Sequence, residues 1–352
     1  MVVTGRGVEI KCNSYVGCAW GASTLLQIVC VSGVADVEVA VPAINISDVP
    51  DVPYRGMLVD TARSYVSIQD LKEAITLAAH YKIRFVHLHM TDDHAWSFPS
   101  DSFPLLGSQN VGFRGRTPTV FEKQDLLDVV KFADARGVTL IPELEGPSHS
   151  SAQRRAMPEL FGPGCSAAGG EVLMVTNESV YTAMTTIVQE MAAIFTSSPY
   201  IHVGCDECSI PETLPGYAEF AKKHDIKDGA DLFAYYVKYM ADAVRSTNKT
   251  AIIWGPASLT RLQPEDAVVM VWSGSSGDAT AAIQRKLTVI NDPNEGGSLE
   301  QEYEHNLFDF APPTSTGTSA IPPTPAVIGA QVNIWEVGLV DTRFYVLKIT
   351  KI

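Results

Sequence analysis

Positively charged residues are scarce in this sequence. Its 352 residues include 26 Lys and Arg against 40 Asp and Glu, which gives a formal net charge of -14. Nucleic acids and anionic membrane surfaces are bound by basic patches, so neither is expected as a partner. A neutral or cationic ligand suits such a chain better.

Long apolar runs are also missing. No stretch reaches the roughly 18 to 20 apolar residues of a membrane span, and polar and charged residues interrupt the most apolar early stretch, residues 23–41. The opening MVVTGRGVEIK has no basic start followed by an apolar core, so it does not read as a signal peptide. Three N-x-S/T sequons, at Asn45, Asn177 and Asn248, nevertheless favour a glycoprotein on a lysosomal or extracellular route.

Only six cysteines are present, at positions 12, 18, 30, 165, 205 and 208. The six cysteines make no zinc-ligand pattern, and CDEC, from Cys205 to Cys208, is a C-x-x-C that stands alone. A set of buried free thiols is the ordinary alternative.

Short β-branched runs alternate with amphipathic stretches after residue 50, which is typical of a parallel sheet with crossover helices. Helices are predicted at 67–82, 122–137, about 178–195 and 229–246. Strands are predicted at 56–60, 84–90, 138–145, 200–207, 251–255, 268–273, 287–292 and 326–336. Eight strands predict an α/β fold, a (β/α)8 TIM barrel.

Active sites of such barrels lie at the carboxyl ends of the strands. The polar and aromatic residues at those ends are Asp60, Arg63, His87, His89, Asp92, Asp93, Trp96, Glu143, Glu145, His149, Asp206, Glu207, Trp254, Trp272, Asp292, Trp335 and Glu336. The tryptophans at successive strand ends suit a sugar face or an acetamido methyl group, although they could simply fill the top layer of the barrel.

Asp206 and Glu207 are adjacent acids at a strand end. Glycoside hydrolysis needs a carboxylic acid that protonates the leaving oxygen, and a neighbouring negative group is expected to raise that acid's pKa. Neighbouring residues of a regular strand point to opposite faces, so both acids can serve one site only where the backbone leaves the pleat. The alternative is a pair of solvated charges at a strand exit.

The His-x-His pair His87 and His89 has the spacing of a metal-ligand pair. No histidine cluster at the other strand ends completes such a site, so histidines bonded within the barrel are the alternative.

Five segments carry a resemblance to a known family. They are VPYRGMLVDTARSY, HLHMTDDHAWSF, IPELEGPSHS, YIHVGCDECSI and GAQVNIWEVGLVD, in that order along the chain. The chain resembles the glycoside hydrolase family 20 β-N-acetylhexosaminidases from about Gly7 to Asp341. The ordered series is far more specific than any one segment.

The resemblance implies a substrate-assisted retaining mechanism without metal or organic cofactor. Glu207 would be the general acid/base, and Asp206 would hold the substrate's acetamido N–H so that its carbonyl oxygen attacks the anomeric carbon. Arg55 would bind the hydroxyls of the terminal sugar, and Glu336 would be a further hydroxyl ligand. The supporting residues would be Trp254, Trp272 and Trp335 as walls of the acetamido pocket, with Asp92, Asp93 and His149 around the acids.

The resemblance also implies a domain plan and a disulfide. Residues 1–50 would be the tail of a small N-terminal α/β domain, and residues 51–352 the catalytic barrel, without a full closing helix. Cys165 would pair with Cys208 and leave Cys205 free. The chain departs from the family's usual pattern at Cys205, Glu145 and Ser148, where glycine, aspartate and glycine are expected, and Glu336 follows Trp335 directly.

These observations predict an exo-β-N-acetylhexosaminidase that removes N-acetylglucosamine or N-acetylgalactosamine from glycans or chitooligosaccharides. Its partner would be the glycan substrate, and a homodimer is an assembly left open. Two other hypotheses remain. One is a catalytically impaired sugar-binding barrel, and the other is a metal-dependent barrel hydrolase that uses His87 and His89.

Overall fold

Eight parallel strands close into a barrel in the computed structural model of the protein. The structure describes residues 1–30, 40–113, 116–162, 166–167, 170–255, 259–293 and 304–335. The strands of these ranges are β1 (Val2–Thr4), β2 (Gly7–Glu9), β3 (Ile44–Asn45), β4 (Tyr54–Asp60), β5 (Phe85–His89), β6 (Thr139–Glu143), β7 (Ser166–Ala167), β8 (Gly170–Glu171), β9 (Tyr200–His202), β10 (Thr250–Gly255), β11 (Ala267–Val271), β12 (Thr288–Asn291) and β13 (Val327–Val332).

The barrel confirms the predicted fold. Strands β4, β5, β6 and β9 to β13 follow one another around the ring in chain order, each at one of the eight predicted positions. Most are apolar runs buried on both faces, as a parallel strand between barrel interior and helices must be. The pairings Asp60 with His89, His89 with Glu143 and Glu143 with His202 bring these strand ends to one edge.

Helices cover the outside of the barrel. They are α1 (Tyr15–Cys30), α2 (Ile68–His80), α3 (Lys123–Asp134), α4 (Ser151–Ala156), α5 (Pro158–Phe161), α6 (Glu178–Ile194), α7 (Tyr217–His224), α8 (Gly229–Arg245) and α9 (Ser276–Gln284). Sequence signals explain several starts, since Ser67 and Asp70 form a capping box on α2, and Asn177 and Asp228 cap α6 and α8. None of the described helices combines the length and apolar character that a membrane span requires.

The segment before the barrel packs onto it. Strands β1, β2 and β3 form an antiparallel sheet, and α1 lies against α2. Three α1 side chains donate hydrogen bonds to barrel carbonyls: the Tyr15 hydroxyl to Ala135 at 2.7 Å, the Ser23 hydroxyl to Ala79 at 2.9 Å and the Gln27 amide to His80 at 2.7 Å. The domain division at residue 50 stays a prediction.

The cysteines follow a pattern that the sequence did not indicate. Cys12 and Cys18 form a disulfide just before and within α1. Cys205 is a buried free thiol, as predicted, and Cys208 is also free. The predicted partner of Cys208, Cys165, lies outside the described residues.

Candidate active site

A pocket of about 360 Å³ opens at the carboxyl end of the barrel. We call it the carboxyl-end pocket. It is lined by Arg63, His89, Glu145, His149, Asp206, Glu207, Trp254, Trp272, Asp292, Asn333 and Trp335. These residues come from strand ends far apart in the sequence and include acids, bases and three indole rings, so the pocket combines apolar walls with ionised groups.

The turn after β9 brings both adjacent acids into this pocket. The strand ends at His202, earlier than predicted, and the backbone then takes positive φ angles at Gly204 (62°), Cys205 (73°) and Glu207 (45°). The Cys205 amide donates to the Gly146 carbonyl at 3.1 Å, which ties the turn to the neighbouring strand end. Because regular pleating stops here, Asp206 and Glu207 can face the same pocket.

His149 links the two acids. Its Nε2 atom lies 3.2 Å from Glu207 Oε2 and 3.5 Å from Asp206 Oδ2, while its Nδ1 atom lies 3.2 Å from Asp93 Oδ2. Burial lowers the pKa of the imidazole, but its hydrogen bonds with Asp206, Asp93 and Glu207 outweigh burial and raise that pKa. His149 is therefore an imidazolium that neutralises part of the acidic cluster.

The charge state of Glu207 differs from the expectation. A neighbouring acid was expected to raise its pKa, whereas the hydrogen bond with His149 lowers the pKa of Glu207, against the opposing effect of burial. Coulombic attraction to Arg63 lowers it further. The expectation was wrong because the nearest charge to Glu207 is a cation from another strand end, which sequence adjacency does not reveal.

Asp206 and Glu145 both line the pocket and interact electrostatically, and we call this part of the pocket its floor. The Oδ1 atom of Asp206 and the Oε2 atom of Glu145 are buried and have no hydrogen-bond partner. Burial, then the negative charges of Asp206 and Glu143, raise the pKa of Glu145 well above its usual range. Glu145 is therefore a neutral carboxylic acid beside Asp206. The sequence placed it at a strand end but assigned it no role.

The arginine of the site is Arg63. Its Nη2 atom is 2.7 Å from Asp92 Oδ2, its Nη1 atom is 3.3 Å from Asp60 Oδ2, and its guanidinium lies 5.1 Å from the centre of the Trp335 ring. The three contacts point its remaining donors toward a pocket walled by an indole ring.

The structure does not bring Arg55 to the pocket. This residue is the second of β4, so it stands at the amino end of the barrel, while the pocket is at the opposite end. Its Nε and Nη2 atoms donate to the Lys82 carbonyl at 3.1 and 3.0 Å, and Nη1 donates to the Val52 carbonyl at 2.7 Å. The guanidinium lies over Trp20. Arg55 therefore has no part in the candidate site.

The three predicted tryptophans line the pocket together. The rings of Trp254 and Trp335 lie 5.8 Å apart, and the indole N–H of Trp254 donates to Glu143 Oε1 at 2.7 Å. The indole N–H of Trp272 is buried without a partner. Trp96, also at a strand end, is buried in the apolar core and does not line the pocket.

Asp92 and Asp93 lie behind the pocket. Asp92 contacts Arg63 and also lies 3.2 Å from His89 Nε2. Asp93 accepts hydrogen bonds from the amide and hydroxyl of Ser151 at the start of α4, at 3.1 and 2.6 Å. Both aspartates therefore hold other site residues in place. Glu336 lies outside the described residues.

The seventh and eighth strands add two residues that the sequence did not single out as site residues. The Asn333 amide donates to both carboxylate oxygens of Asp292, at 2.8 and 2.9 Å. Asp292 was noted at a strand end, and Asn333 follows the end of β13 by one residue. An alternating strand places Asn333 and Trp335 on the same side, which is the signal that could have identified it.

His87 and His89 lie in the barrel interior with their nitrogens directed at polar side chains. His87 Nδ1 accepts from the Gln331 amide at 3.2 Å, so its Nε2 carries the proton and faces Glu143. Burial lowers the pKa of His89, but Glu143 and Asp92 together raise it to about 10. A protonated imidazole has no lone pair for a metal, so the structure favours hydrogen bonding within the barrel for His89. Burial lowers the pKa of His87 to about 4, and His87 lies with Glu143 and His202 in a group whose atoms could hold a metal ion.

The chain matches the model of the glycosyl hydrolase family 20 catalytic domain over residues 52–342. It is 30% identical to a beta-hexosaminidase of Porphyromonas gingivalis and 28% identical to a beta-N-acetylhexosaminidase of Cellulomonas fimi, each over 97% of this chain. The chain spans 47% of the first relative and 69% of the second.

Solved structures share the fold. A family 20 exo-beta-N-acetylglucosaminidase from Vibrio harveyi, in complex with N-acetylglucosamine, superposes with a TM-score of 0.80 at 22% identity over 99% of this chain and 62% of that chain. An N-acetyl-beta-hexosaminidase from Streptomyces plicatus gives a TM-score of 0.69 at 20% identity, over 95% of this chain and 71% of that one. Together with the match over most of its length, these findings show that the chain belongs to glycosyl hydrolase family 20.

Proposed function

We propose that the protein is an exo-β-N-acetylhexosaminidase that removes terminal N-acetylglucosamine or N-acetylgalactosamine by a substrate-assisted retaining mechanism. One observation carries the proposal. A buried carboxylate oxygen without a partner, Asp206 Oδ1, lies in a pocket walled by three indole rings, next to a second carboxylate. An acetamido group supplies an N–H that can donate to this carboxylate oxygen, and a methyl group that can pack against the indole rings.

Asp206 orients the attacking group in this proposal. Its carboxylate accepts the acetamido N–H and turns the acetamido carbonyl oxygen toward the anomeric carbon. The negative charge also stabilises the positive oxazolinium ring that forms as the glycosidic bond breaks. The nucleophile belongs to the substrate. The raised pKa of Glu145, caused by burial and by the charges of Asp206 and Glu143, favours the neutral form of Glu145 beside Asp206.

Glu207 is the general acid and then the general base. Its side chain is 44% exposed, so it stands nearer to solvent than Asp206, where a leaving oxygen can reach it. In the free protein His149 keeps Glu207 ionised, so the reactive form must take up a proton before it protonates the leaving group. Water attacks the ring in the second step, and Glu207 takes its proton.

The other residues hold the sugar. Arg63, in place of Arg55, binds the sugar hydroxyls, because its guanidinium lines the pocket between Asp92 and the Trp335 ring. Trp254, Trp272 and Trp335 enclose the acetamido group, and a volume of about 360 Å³ suits one sugar residue. Glu336 remains a candidate hydroxyl ligand on the sequence resemblance alone.

Turnover of 4-nitrophenyl N-acetyl-β-D-glucosaminide at mildly acidic pH tests the proposal. We expect hydrolysis that persists in the presence of a strong chelator, and product of retained configuration by NMR. A protein that binds N-acetylglucosamine without any turnover would be the sugar-binding barrel instead. Loss of turnover with chelator would favour the metal-dependent alternative.

We further propose a lysosomal or extracellular location. The sequon residues Asn45 and Asn248 are exposed, and a Cys12–Cys18 disulfide suits an oxidising compartment. Asn177 is a poorer acceptor, because its side chain caps α6 and donates to the Leu160 carbonyl at 3.4 Å. Expression in a secretory eukaryotic host, followed by N-glycan removal and mass spectrometry, should show glycans at Asn45 and Asn248. Unmodified asparagines at both positions would contradict the proposal.

A further inference from the structure

Glu143 is a buried carboxylate to which the proposed mechanism gives no role. It is the last residue of β6, it is fully buried, and it does not line the carboxyl-end pocket. Its oxygens receive the Trp254 indole N–H at 2.7 Å and a contact with His89 Nδ1. They also lie 2.9 Å from His202 Nδ1 and 3.2 Å from His87 Nε2.

Glu143 is ionised despite its burial. Burial alone would raise its pKa, but His89, His202 and His87 surround the carboxylate and lower its pKa well below the usual range. A buried charge with hydrogen bonds to the Trp254 indole and the His89 ring is held in one position, because both bonds would be lost if the carboxylate rotated.

Two contact chains lead from Glu143 to the walls of the pocket. The first is the Trp254 link, a single hydrogen bond from the indole ring of Trp254 to Glu143 Oε1. The second is the His89 link, in which His89 bridges Glu143 to Asp92, and Asp92 in turn lies 2.7 Å from the guanidinium of Arg63. The two links end at an indole wall and at the arginine of the pocket.

We propose that Glu143 is a positioning residue that fixes Trp254 and Arg63 at once, and so sets the orientation of the acetamido group and the sugar hydroxyls relative to Asp206 and Glu207. This inference rests on the proposed function. One carboxylate outside the pocket holds two of its lining residues, so its loss should misplace substrate rather than merely loosen the barrel. Misplacement by about 1 Å can lower a rate about 100-fold.

The main test compares two variants that each remove one buried negative charge. Glu143→Gln removes the charge under the pocket. Asp266→Asn removes the charge of a 5% exposed aspartate that precedes β11 at the amino end, where it pairs with Arg245 and accepts from the Gln263 amide at 2.7 Å. Both should lower the thermal midpoint, because both break buried polar contacts.

The rates should separate the two variants. We expect Glu143→Gln to lower kcat for the nitrophenyl glycoside about 100-fold, and Asp266→Asn to leave it within about twofold of the wild type. Near-ultraviolet circular dichroism should change only in Glu143→Gln, since only that variant replaces the charged acceptor of an indole N–H by a weaker neutral one. A kcat for Glu143→Gln within about threefold of that for Asp266→Asn would overturn the proposal.

A double-mutant cycle tests the Trp254 link directly. Trp254→Phe keeps an aromatic wall but removes the N–H that Glu143 accepts. If Glu143 acts partly through this bond, the fold loss of kcat caused by Glu143→Gln should be about ten times smaller in the Trp254→Phe background than in the wild type. If the losses in kcat of the two single variants simply combine in the double variant, Glu143 does not act through the Trp254 link. If Glu143→Gln fails to fold, Trp254→Phe alone still decides, since a kcat within about threefold of wild type would show that the bond positions nothing.

Binding distinguishes failure of this inference from failure of the proposed function. Tryptophan fluorescence gives the Kd of N-acetylglucosamine even for a protein without turnover. We expect the Kd to rise about tenfold in Glu143→Gln and to stay unchanged in Asp266→Asn. A wild type without turnover but with this Kd pattern would refute the hydrolase proposal and leave the positioning role in place. Equal Kd values in the two variants would refute the positioning role.

Discussion

The two ends of the barrel hold cavities of nearly the same size but of different chemistry. The carboxyl-end pocket has a volume of about 360 Å³, and a cavity of about 370 Å³ lies at the amino end. We call the second one the amino-end cavity. It is lined by Pro53, Tyr54, Phe85, Tyr200, Thr250, Glu265, Ala267, Val268, Thr288 and Ile328. Volume alone therefore does not identify the site.

The difference lies in which polar groups are satisfied. In the carboxyl-end pocket, Asp206 Oδ1, Glu145 Oε2 and Trp272 Nε1 are buried without partners, whereas no lining residue of the amino-end cavity has such an atom. Arg55 and Arg84, both near the amino end, donate to backbone carbonyls instead. Buried polar groups are normally paired, so the unpaired set marks the end at which a ligand completes the bonding.

The largest effect should come from the acid of the carboxyl-end pocket. Glu207→Gln should lower kcat/KM about 1,000-fold for glycosides with poor leaving groups, and much less for the nitrophenyl glycoside, which needs little proton assistance. Tyr200→Phe, at the amino-end cavity, should leave both rates near the wild-type values. Steady-state kinetics on two substrates of different leaving-group pKa would show this. Equal losses on both substrates would argue against an acid role for Glu207.

The two carboxyl groups on the pocket floor should respond unequally. Asp206→Asn should lower kcat about 100-fold, because it removes the charge that orients the acetamido group and stabilises the cationic ring. The kcat of Glu145→Gln should stay within a few-fold of the wild-type value, because the raised pKa of Glu145 favours its neutral form, which the amide resembles. Inhibition by a thiazoline analogue of the ring checks this, since only Asp206→Asn should lose the preference for it over N-acetylglucosamine. A larger loss in Glu145→Gln would reverse the assignment.

A matched pair of arginine substitutions compares the two ends directly. Arg63→Met should raise KM about 30-fold, which corresponds to about 2 kcal/mol for charge-assisted hydrogen bonds. Arg55→Met should leave KM unchanged and lower only the thermal midpoint, because it loses carbonyl contacts and the Trp20 ring. Kinetics and thermal melts on both variants give the comparison. A raised KM in Arg55→Met would restore Arg55 to the site.

The smallest effect should be a shift of the pH profile. Only protonated Glu207 can act as the acid, and His149 lowers its pKa, so kcat/KM should fall as pH rises through that lowered value. His149→Asn removes the cation and tolerates a φ of 46°, so the alkaline limb should move to higher pH. His224→Asn, on α7, is the control and should leave the profile in place. A shift of the alkaline limb of His149→Asn to lower pH would contradict the ion pair between His149 and Glu207.

The sequence predicted the barrel because its signals are local and repeated. A run such as β11 or β5 reads as a buried strand from its own residues, and all eight strand positions followed from such runs. Strand ends also indicated Asp206, Glu207, His149 and the tryptophans as neighbours, since parallel strands place those ends together.

The remaining features depend on contacts between distant segments. The pKa of Glu207 is set by His149, 58 residues away, so adjacency to Asp206 pointed in the wrong direction. Arg55 lies at the start of β4 and Arg63 just after its end, and only the direction of β4 decides which one reaches the pocket. The role of Glu143 likewise appears only once four side chains from three other strands surround it.

The positive φ angles at Gly204, Cys205 and Glu207 restrict the residue types that directed evolution can introduce into this turn. A side chain at Gly204 would overlap the carboxyl group of Glu145, so a library at that position should return glycine almost alone. Cys205 has the left-handed backbone that glycine adopts most easily, so Cys205→Gly should be recovered among active clones. Altered sugar preference is therefore more accessible through Asp292 and Asn333, neither of which has a positive φ angle.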